Sequence, residues 1–261
     1  RQLGAQQGID ILVNNAGALI EESVFLPKAG VEEHVAINFL SPFLLTEGLL
    51  PYIRKSRGRV VYVTCAAHHG VRKGNVVQQR LVLKPSEDES QVTARCYSAS
   101  KLGNVYHAQQ LASRRYEGVV FQSSTTSVTS TPTGSSSSSS GAQTVQPFSV
   151  CCVDPGTTST HLYHPAPVAA GGAEEEAPIL GQGSFGRLVR SLWSKDPSEG
   201  AQSIVNACLR DDLENGGYYA ECRLMPGAQS RMANSPKEMA DVCRWANSRV
   251  EKHLAALKAS N

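Results

Sequence analysis

Apolar residues in this chain fall into short unbroken runs that alternate with longer stretches of helical spacing. "IDILVNNAG" (9–17) is an apolar run that stops at Asn-Asn-Ala-Gly, and it reads as a buried strand entering a tight turn. "GVEEHVAINFLSPFLLTEGLLPYIRKS" (30–56) predicts a long helix, kinked near Pro42. "GRVVYVTCA" (58–66) is β-branched and predicts a second buried strand. Residues 70–94 are polar and irregular, and "CYSASKLGNVYHAQQLASRRY" (96–116) is helical by pattern. "PFSVCCVDPG" (147–156) predicts a third strand running into a turn, and "GGYYAEC" (216–222) a fourth. "DPSE" (196–199) and "SPKE" (235–238) fit capping boxes with Pro at the first helical position, opening helices over about 197–210 and 236–257. Strand and helix alternate, which implies a parallel sheet with right-handed crossovers.

One segment breaks the alternation. "SSTTSVTSTPTGSSSSSSGAQT" (123–144) has almost no apolar surface to bury and is expected to be a disordered insertion. It connects a helix back to a strand. In a wound sheet such connections lie opposite the strands' carboxyl ends, where ligands bind, so the insertion should leave the site untouched. The whole of 1–261 is expected to form a single domain.

Composition removes several classes. A formal charge of +2 with 18% charged residues, and no Lys/Arg-rich run, gives no reason to expect a nucleic-acid partner. Seven cysteines, an odd and scattered set with no CxxC pair, suit a reducing compartment better than a disulfide framework. The expected location is therefore cytoplasmic. The histidines lack partner ligands at zinc-like spacing, and no metal site is expected. No apolar run approaches the roughly 20 residues needed to cross a bilayer. The chain opens on Arg1 rather than Met, which points to an N-terminus that is not the natural one.

The candidate chemistry lies in "CYSASKLGNV" (96–105), where Tyr97 and Lys101 stand at i and i+4 and share a helix face. A phenol with a pKa near ~10 is a poor acid–base catalyst at neutral pH, and lowering it to about 7 takes roughly 4 kcal/mol at 1.36 per unit. One ammonium about 4 Å away supplies that order at an effective dielectric near 20. Such a pair can protonate a carbonyl oxygen while hydride arrives at carbon. The spacing alone does not establish this, because Tyr and Lys occur at i,i+4 on many helix faces.

The order of the segments is more specific. NNAG after a strand, an Asn in the next helix, an apolar strand, YxxxK, and then PG after another strand resemble the short-chain dehydrogenase/reductase family. "AAHHG", "CYSASKLGN" and "GGYYAEC" resemble its retinol-dehydrogenase-like branch. The resemblance implies a Rossmann-type, doubly wound parallel sheet and an NAD(P)-dependent oxidoreductase that interconverts a carbonyl and an alcohol on a small or lipophilic substrate. It casts Tyr97 as the acid/base and Lys101 as the residue that lowers its pKa and binds the nicotinamide ribose. Asn38 would hold a relay water, and Asn14, Asn15, Ala16 and Gly17 would pass close to NADP or NAD. Pro155, Gly156 and Thr160 would lie against the nicotinamide. Taken singly, Asn14 and Asn15 also read as turn formers, Asn38 as a surface helix residue and Pro155-Gly156 as a loop. Family members often pair through the long helices around YxxxK, so a homo-oligomer is compatible with the chain. Membrane association is common in the branch, and no anchor is visible in these residues.

The sequence departs from the family in two ways. Cys65 stands where the family places its catalytic serine. A thiol is a weaker donor and a larger atom, so a slowed or altered enzyme is expected, unless Cys65 is only a small buried residue. Thr64 should face the other way and not substitute. The family's opening strand and TGxxxGxG turn, whose glycines let the backbone approach a pyrophosphate, do not occur here. The chain resembles the C-terminal portion of such an enzyme, and its NNAG strand should carry a bare apolar edge that lowers solubility and weakens dinucleotide binding. "ILGQGSFGRLVR" (179–190), with Gly181, Gly183 and Gly186, satisfies GxGxxG. It lacks the strand context of a dinucleotide loop and the lysine, HRD and DFG motifs of a kinase. A catalytically impaired relative that acts as a binding scaffold is the alternative reading.

Overall fold

The computed structural model describes residues 8–20, 24–27, 29–77, 81, 89–114, 147–158 and 195–259. Its sheet is built from β1 (Ile11–Asn14), β4 (Arg59–Val63), β5 (Ser149–Asp154), β6 (Gly217–Ala220) and β7 (Arg223–Leu224), in the order β1-β4-β5-β6-β7. The first four strands are parallel, and β7 turns back antiparallel on β6. A separate two-stranded ribbon joins β2 (Phe25–Leu26) to β3 (Val31–Glu32). The helices are α1 (Glu33–Val35), α2 (Ser41–Ser56), α3 (Glu89–Ser113), α4 (Pro197–Leu209) and α5 (Pro236–Ala259).

Alternation along the strands sends side chains to both faces. Val60 and Tyr62 of β4, with Val150 and Cys152 of β5, join a large core with Phe39, Phe43, Leu102, Tyr106 and Val242 from the helices. Val61, Cys151 and Val153 point the other way, against Ala207 of α4. Helices therefore cover both faces of a parallel sheet, the doubly wound α/β arrangement anticipated above. All seven cysteines are free, and burial pushes the Cys151 and Cys243 thiols up to about 12.

The long helix expected over 30–56 is interrupted as well as kinked. Residues Ala36–Leu40 form a π-helical turn between α1 and α2. Pro42 has no N–H to offer the Asn38 carbonyl four residues back. The turn widens, and the Ser41 N–H and Oγ both donate to the Ala36 carbonyl. The wide turn swings Asn38 and Phe39 inward, so Asn38 is buried rather than a surface residue. Together Glu33–Ser56 spans 24 residues, and its most apolar 18-residue stretch has a mean hydropathy of 1.2, so the expectation that nothing apolar approaches membrane-spanning length is corrected. Its inward side is nevertheless core: Phe39, Phe43 and Ile53 are buried against the sheet and α3.

Two further expectations need correction. The YxxxK helix begins at Glu89 rather than 96, inside the stretch read as irregular, and His68 lies in a 3₁₀ turn, Ala66–Gly70. The DPSE capping box forms as expected. In SPKE, Ser235 Oγ accepts from the Glu238 N–H at 3.4 Å, but the Glu238 carboxylate leaves the helix and accepts from the Asn75 and Val76 N–H groups at 2.7 and 3.0 Å. The Ser235 N–H bonds Met232 instead. The Ser/Thr-rich tract 123–144 and the GxGxxG segment lie outside the described residues.

Candidate active site

The carboxyl ends of β1, β4 and β5 feed three turns: Asn15–Gly17, Thr64–Cys65 and Pro155–Gly156. This edge of a wound sheet is where ligands bind. Helix α3 runs beside it and contributes Tyr97, Ser100, Lys101 and Asn104. Their spacing of three, four and seven puts them on one face. All four are buried and form a polar stripe along the helix.

Tyr97 and Lys101 point the same way. Lys101 Nζ lies 5.7 Å from the centroid of the Tyr97 ring, and Cys65 Sγ lies 3.5 Å from Tyr97 Oη. The Tyr97 and His34 rings also meet edge to face, with centroids 5.7 Å apart. Lys101 is only 6% exposed, and its hydrogen bond to the Val63 carbonyl is long at 3.5 Å. Burial pushes its ammonium below the ordinary lysine range, while Cys65 and Asp154 pull the other way. Thr64 does not face Tyr97; its hydroxyl donates to the Lys101 carbonyl at 3.1 Å.

The NNAG turn closes over this pair. Asn38 holds it through two bonds to Ala18: Oδ1 accepts from the N–H at 2.7 Å and Nδ2 donates to the carbonyl at 2.8 Å. Nδ2 also reaches Ser100 Oγ at 3.3 Å. A Cβ on Gly17 would come 3.2 Å from Asn38 Oδ1 and 3.3 Å from Lys101 Nζ, so a side chain there would crowd both groups. Asn15 and Ala16 are exposed.

Asn14 is directed elsewhere. It is buried, and its Nδ2 donates to Thr46 Oγ1 at 2.9 Å. The Thr46 and Tyr62 hydroxyls lie 3.0 Å apart, Tyr62 Oη is 2.7 Å from His107 Nδ1, and His107 Nε2 is 3.0 Å from Glu47, which Arg114 also grips. Burial pushes the His107 pKa down, which keeps the ring neutral. Its single N–H goes to the Glu47 carboxylate, and Nδ1 is left to accept from Tyr62. Asn14 thus anchors the turn to the core.

Gly156, at φ +77°, forms the turn after β5, and its N–H donates to Asp154 Oδ1 at 2.8 Å. Tyr218 Oη meets the other Asp154 oxygen at 3.2 Å. The Lys195 side chain packs over Gly156 and pairs with Glu221. Pro155 is half-buried beside it, and Thr160 lies outside the described residues.

Several contributors escaped the sequence reading. His68, fully buried, is 2.7 Å from the Cys65 carbonyl through Nδ1 and accepts the Ser230 N–H at Nε2, 2.9 Å. It ties the end of β4 to the segment before α5. His34 accepts the Ile20 N–H at Nε2, 2.8 Å, and contacts Glu32 through Nδ1, 2.5 Å, bracing the far end of the NNAG loop. For Ser100 and Asn104 the helical spacing from Tyr97 was an available signal. For His68, Ser230 and Lys195 there was none, because their partners are distant in sequence.

The chain is similar to known dehydrogenases. A family model described as short chain dehydrogenase matches residues 3–77. Retinol dehydrogenase 14 of Mus musculus is 28% identical over 226 residues, covering 84% of this chain and 54% of that protein. Retinol dehydrogenase 11 of Homo sapiens is 27% identical over 248 residues, covering 92% and 61%. Dehydrogenase/reductase SDR family member 13 of Bos taurus is 34% identical over 228 residues, covering 85% and 47%. The chain spans about half to three-fifths of the length of these curated relatives.

Proposed function

The chain belongs to the short-chain dehydrogenase/reductase family, with retinol dehydrogenases among its relatives, and from that premise we propose that it carries the acid–base half of an NAD(P)-dependent carbonyl–alcohol oxidoreductase. The supporting observation is the buried pair on α3, with Lys101 Nζ 5.7 Å from the Tyr97 ring and the Cys65 thiol at the Tyr97 hydroxyl. The named activities of the relatives suggest a lipophilic alcohol or aldehyde as substrate.

The residues present fit the nicotinamide end of such a cofactor. Lys101 is a buried cation with three N–H donors and one long protein bond, which leaves donors for ribose hydroxyls. Asn15, Ala16 and Gly17 would line the approach, with Pro155 and Gly156 on the opposite side. When bound, NAD(P) supplies or accepts the hydride. Tyr97 gives its hydroxyl proton to the carbonyl oxygen in reduction and takes it back in oxidation. Lys101 stabilises the phenolate left behind. Cys65 contacts the same oxygen as a weak donor, in place of a serine hydroxyl. Asn38 keeps the NNAG turn at a fixed distance from Lys101.

The test is a Tyr97→Phe variant of the natural full-length protein, assayed with retinal or another lipophilic aldehyde and NAD(P)H. A loss of at least about 10²-fold in kcat is expected. Full activity in the variant would overturn the assignment.

A further inference from the structure

Thr46, Tyr62 and His107 are fully buried polar groups that the acid–base chemistry does not use. They come from α2, β4 and α3, and they meet because those elements pack together. Buried polar groups have to satisfy one another. Here the number of protons fixes how they do it.

His107 sets the direction. Its Nε2 faces the Glu47 carboxylate at 3.0 Å, and an ionised carboxylate only accepts, so the ring proton sits on Nε2. Nδ1 of the neutral ring is then a lone pair, 2.7 Å from Tyr62 Oη. The phenol has one proton and gives it to that nitrogen. The Thr46 hydroxyl, 3.0 Å from Tyr62 Oη, therefore donates to the phenol oxygen. That leaves Thr46 Oγ1 to accept from Asn14 Nδ2 at 2.9 Å. Thr46, Tyr62 and His107 each donate once and accept once, and the chain ends on an anion that Arg114 grips. Hydrogen bonds that all run in one sense strengthen each other in a low-dielectric interior. Without an acceptor at position 107 the phenol proton would turn to Thr46, and the Thr46 proton would lose its partner in the chain.

The far end of this chain is the NNAG turn. Asn14 leads directly into Asn15–Gly17, and a Cβ at Gly17 would stand 3.3 Å from Lys101 Nζ. We propose that His107 is a positioning residue: its Nδ1 lone pair aligns the Tyr62 and Thr46 hydroxyls that hold Asn14, and so sets how the NNAG turn lies against Lys101. The alignment stands on the contacts alone, and its effect on a bound nicotinamide rests on the oxidoreductase reading.

Hydrogen exchange in the natural full-length protein, free of cofactor, tests the alignment. The reporters are the Asn14 side-chain amide and the Ala18 N–H, which Asn38 holds within the same turn. They are read against the β5 amides, which report global unfolding. His107→Asn places an amide oxygen where Nδ1 stood and keeps the acceptor. His107→Gln places its amide near Nε2, keeps the donor to Glu47 and loses the acceptor. Tyr62→Phe removes the middle link and keeps the packing. The glutamine and phenylalanine variants should exchange about tenfold faster at the turn, the worth of roughly one hydrogen bond, and the asparagine variant close to wild type. A role limited to tying α2 to α3 through Glu47 predicts the reverse order, with glutamine close to wild type. That reverse order overturns the proposal, as does wild-type exchange in Tyr62→Phe, which decides the matter if the His107 variants do not fold. Tyr62→Phe should also raise the KM for NAD(P)H about tenfold with a smaller change in kcat. Faster exchange with an unmoved KM would uphold the chain and count against the nicotinamide placement.

Discussion

Cys65 Sγ lies 3.5 Å from Tyr97 Oη, so the group beside the candidate acid is a thiol. A serine hydroxyl is a stronger donor toward developing oxygen charge, and losing one such donor costs about 10²–10³ in rate. Cys65→Ser in the full-length protein should therefore raise kcat for carbonyl reduction, by about tenfold or more. An unchanged or lower rate would show that the thiol is not the handicap.

Gly17 tests the closeness of the turn to Lys101. A methyl group there meets Asn38 Oδ1 at 3.2 Å, and Asn38 cannot yield because Ala18 and Ser100 hold it. Gly17→Ala should destabilise the fold by about 1–2 kcal/mol, as overpacking does, and lower Tm by a few degrees. A Tm equal to wild type in thermal unfolding would mean that the turn moves freely.

Acid stability follows from Glu47 and His107. Burial raises the Glu47 pKa, but hydrogen bonds from His107 and Arg114 outweigh it and hold it at about 2, against an ordinary 4.5. Its contribution is complete above pH 4.5 and disappears as pH falls toward 2. The depressed His107 acts in the same direction, its contribution fading as pH falls below the ordinary 6.5. The Glu47 shift alone corresponds to about 3 kcal/mol. Solvent screening of a side chain that is a quarter exposed reduces this to about 1–2 kcal/mol. Glu47→Gln should lose that much stability at pH 7 and flatten the curve below pH 4.5. Urea unfolding at pH 7, 5 and 3 measures both, and parallel curves for the two proteins would remove Glu47 from the account.

Glu238 ties α5 to the 74–76 loop through two backbone N–H groups. Glu238→Ala strands both, one of them buried, and should cost about 2–3 kcal/mol, at about 1–3 for each unsatisfied group. Glu238→Gln keeps one acceptor and should cost less. Equal unfolding midpoints for the alanine variant and wild type would contradict the tie.

β1 is the outer strand of the sheet, and Ile11 and Val13 are 41% and 38% exposed. An apolar strand edge is a template for pairing. Val13→Lys should lower self-association of this chain in light scattering. A wild-type chain that stays monodisperse at micromolar concentration would show that the edge is harmless.

The order of elements, the parallel sheet and the Tyr97–Lys101 spacing were all legible in the chain. Each depends on local periodicity or on short spacing, and neighbours in sequence set those directly. Tertiary structure decided what no spacing encodes. The π turn arises because Pro42 withholds a donor, and its freed Asn38 carbonyl finds Asn104 on another helix, 66 positions away. The Glu238 carboxylate abandons its own helix cap because two N–H groups 162 and 163 residues away need an acceptor more. Buried polar groups must be satisfied wherever the fold brings partners together, and that demand is visible only after the helices have packed.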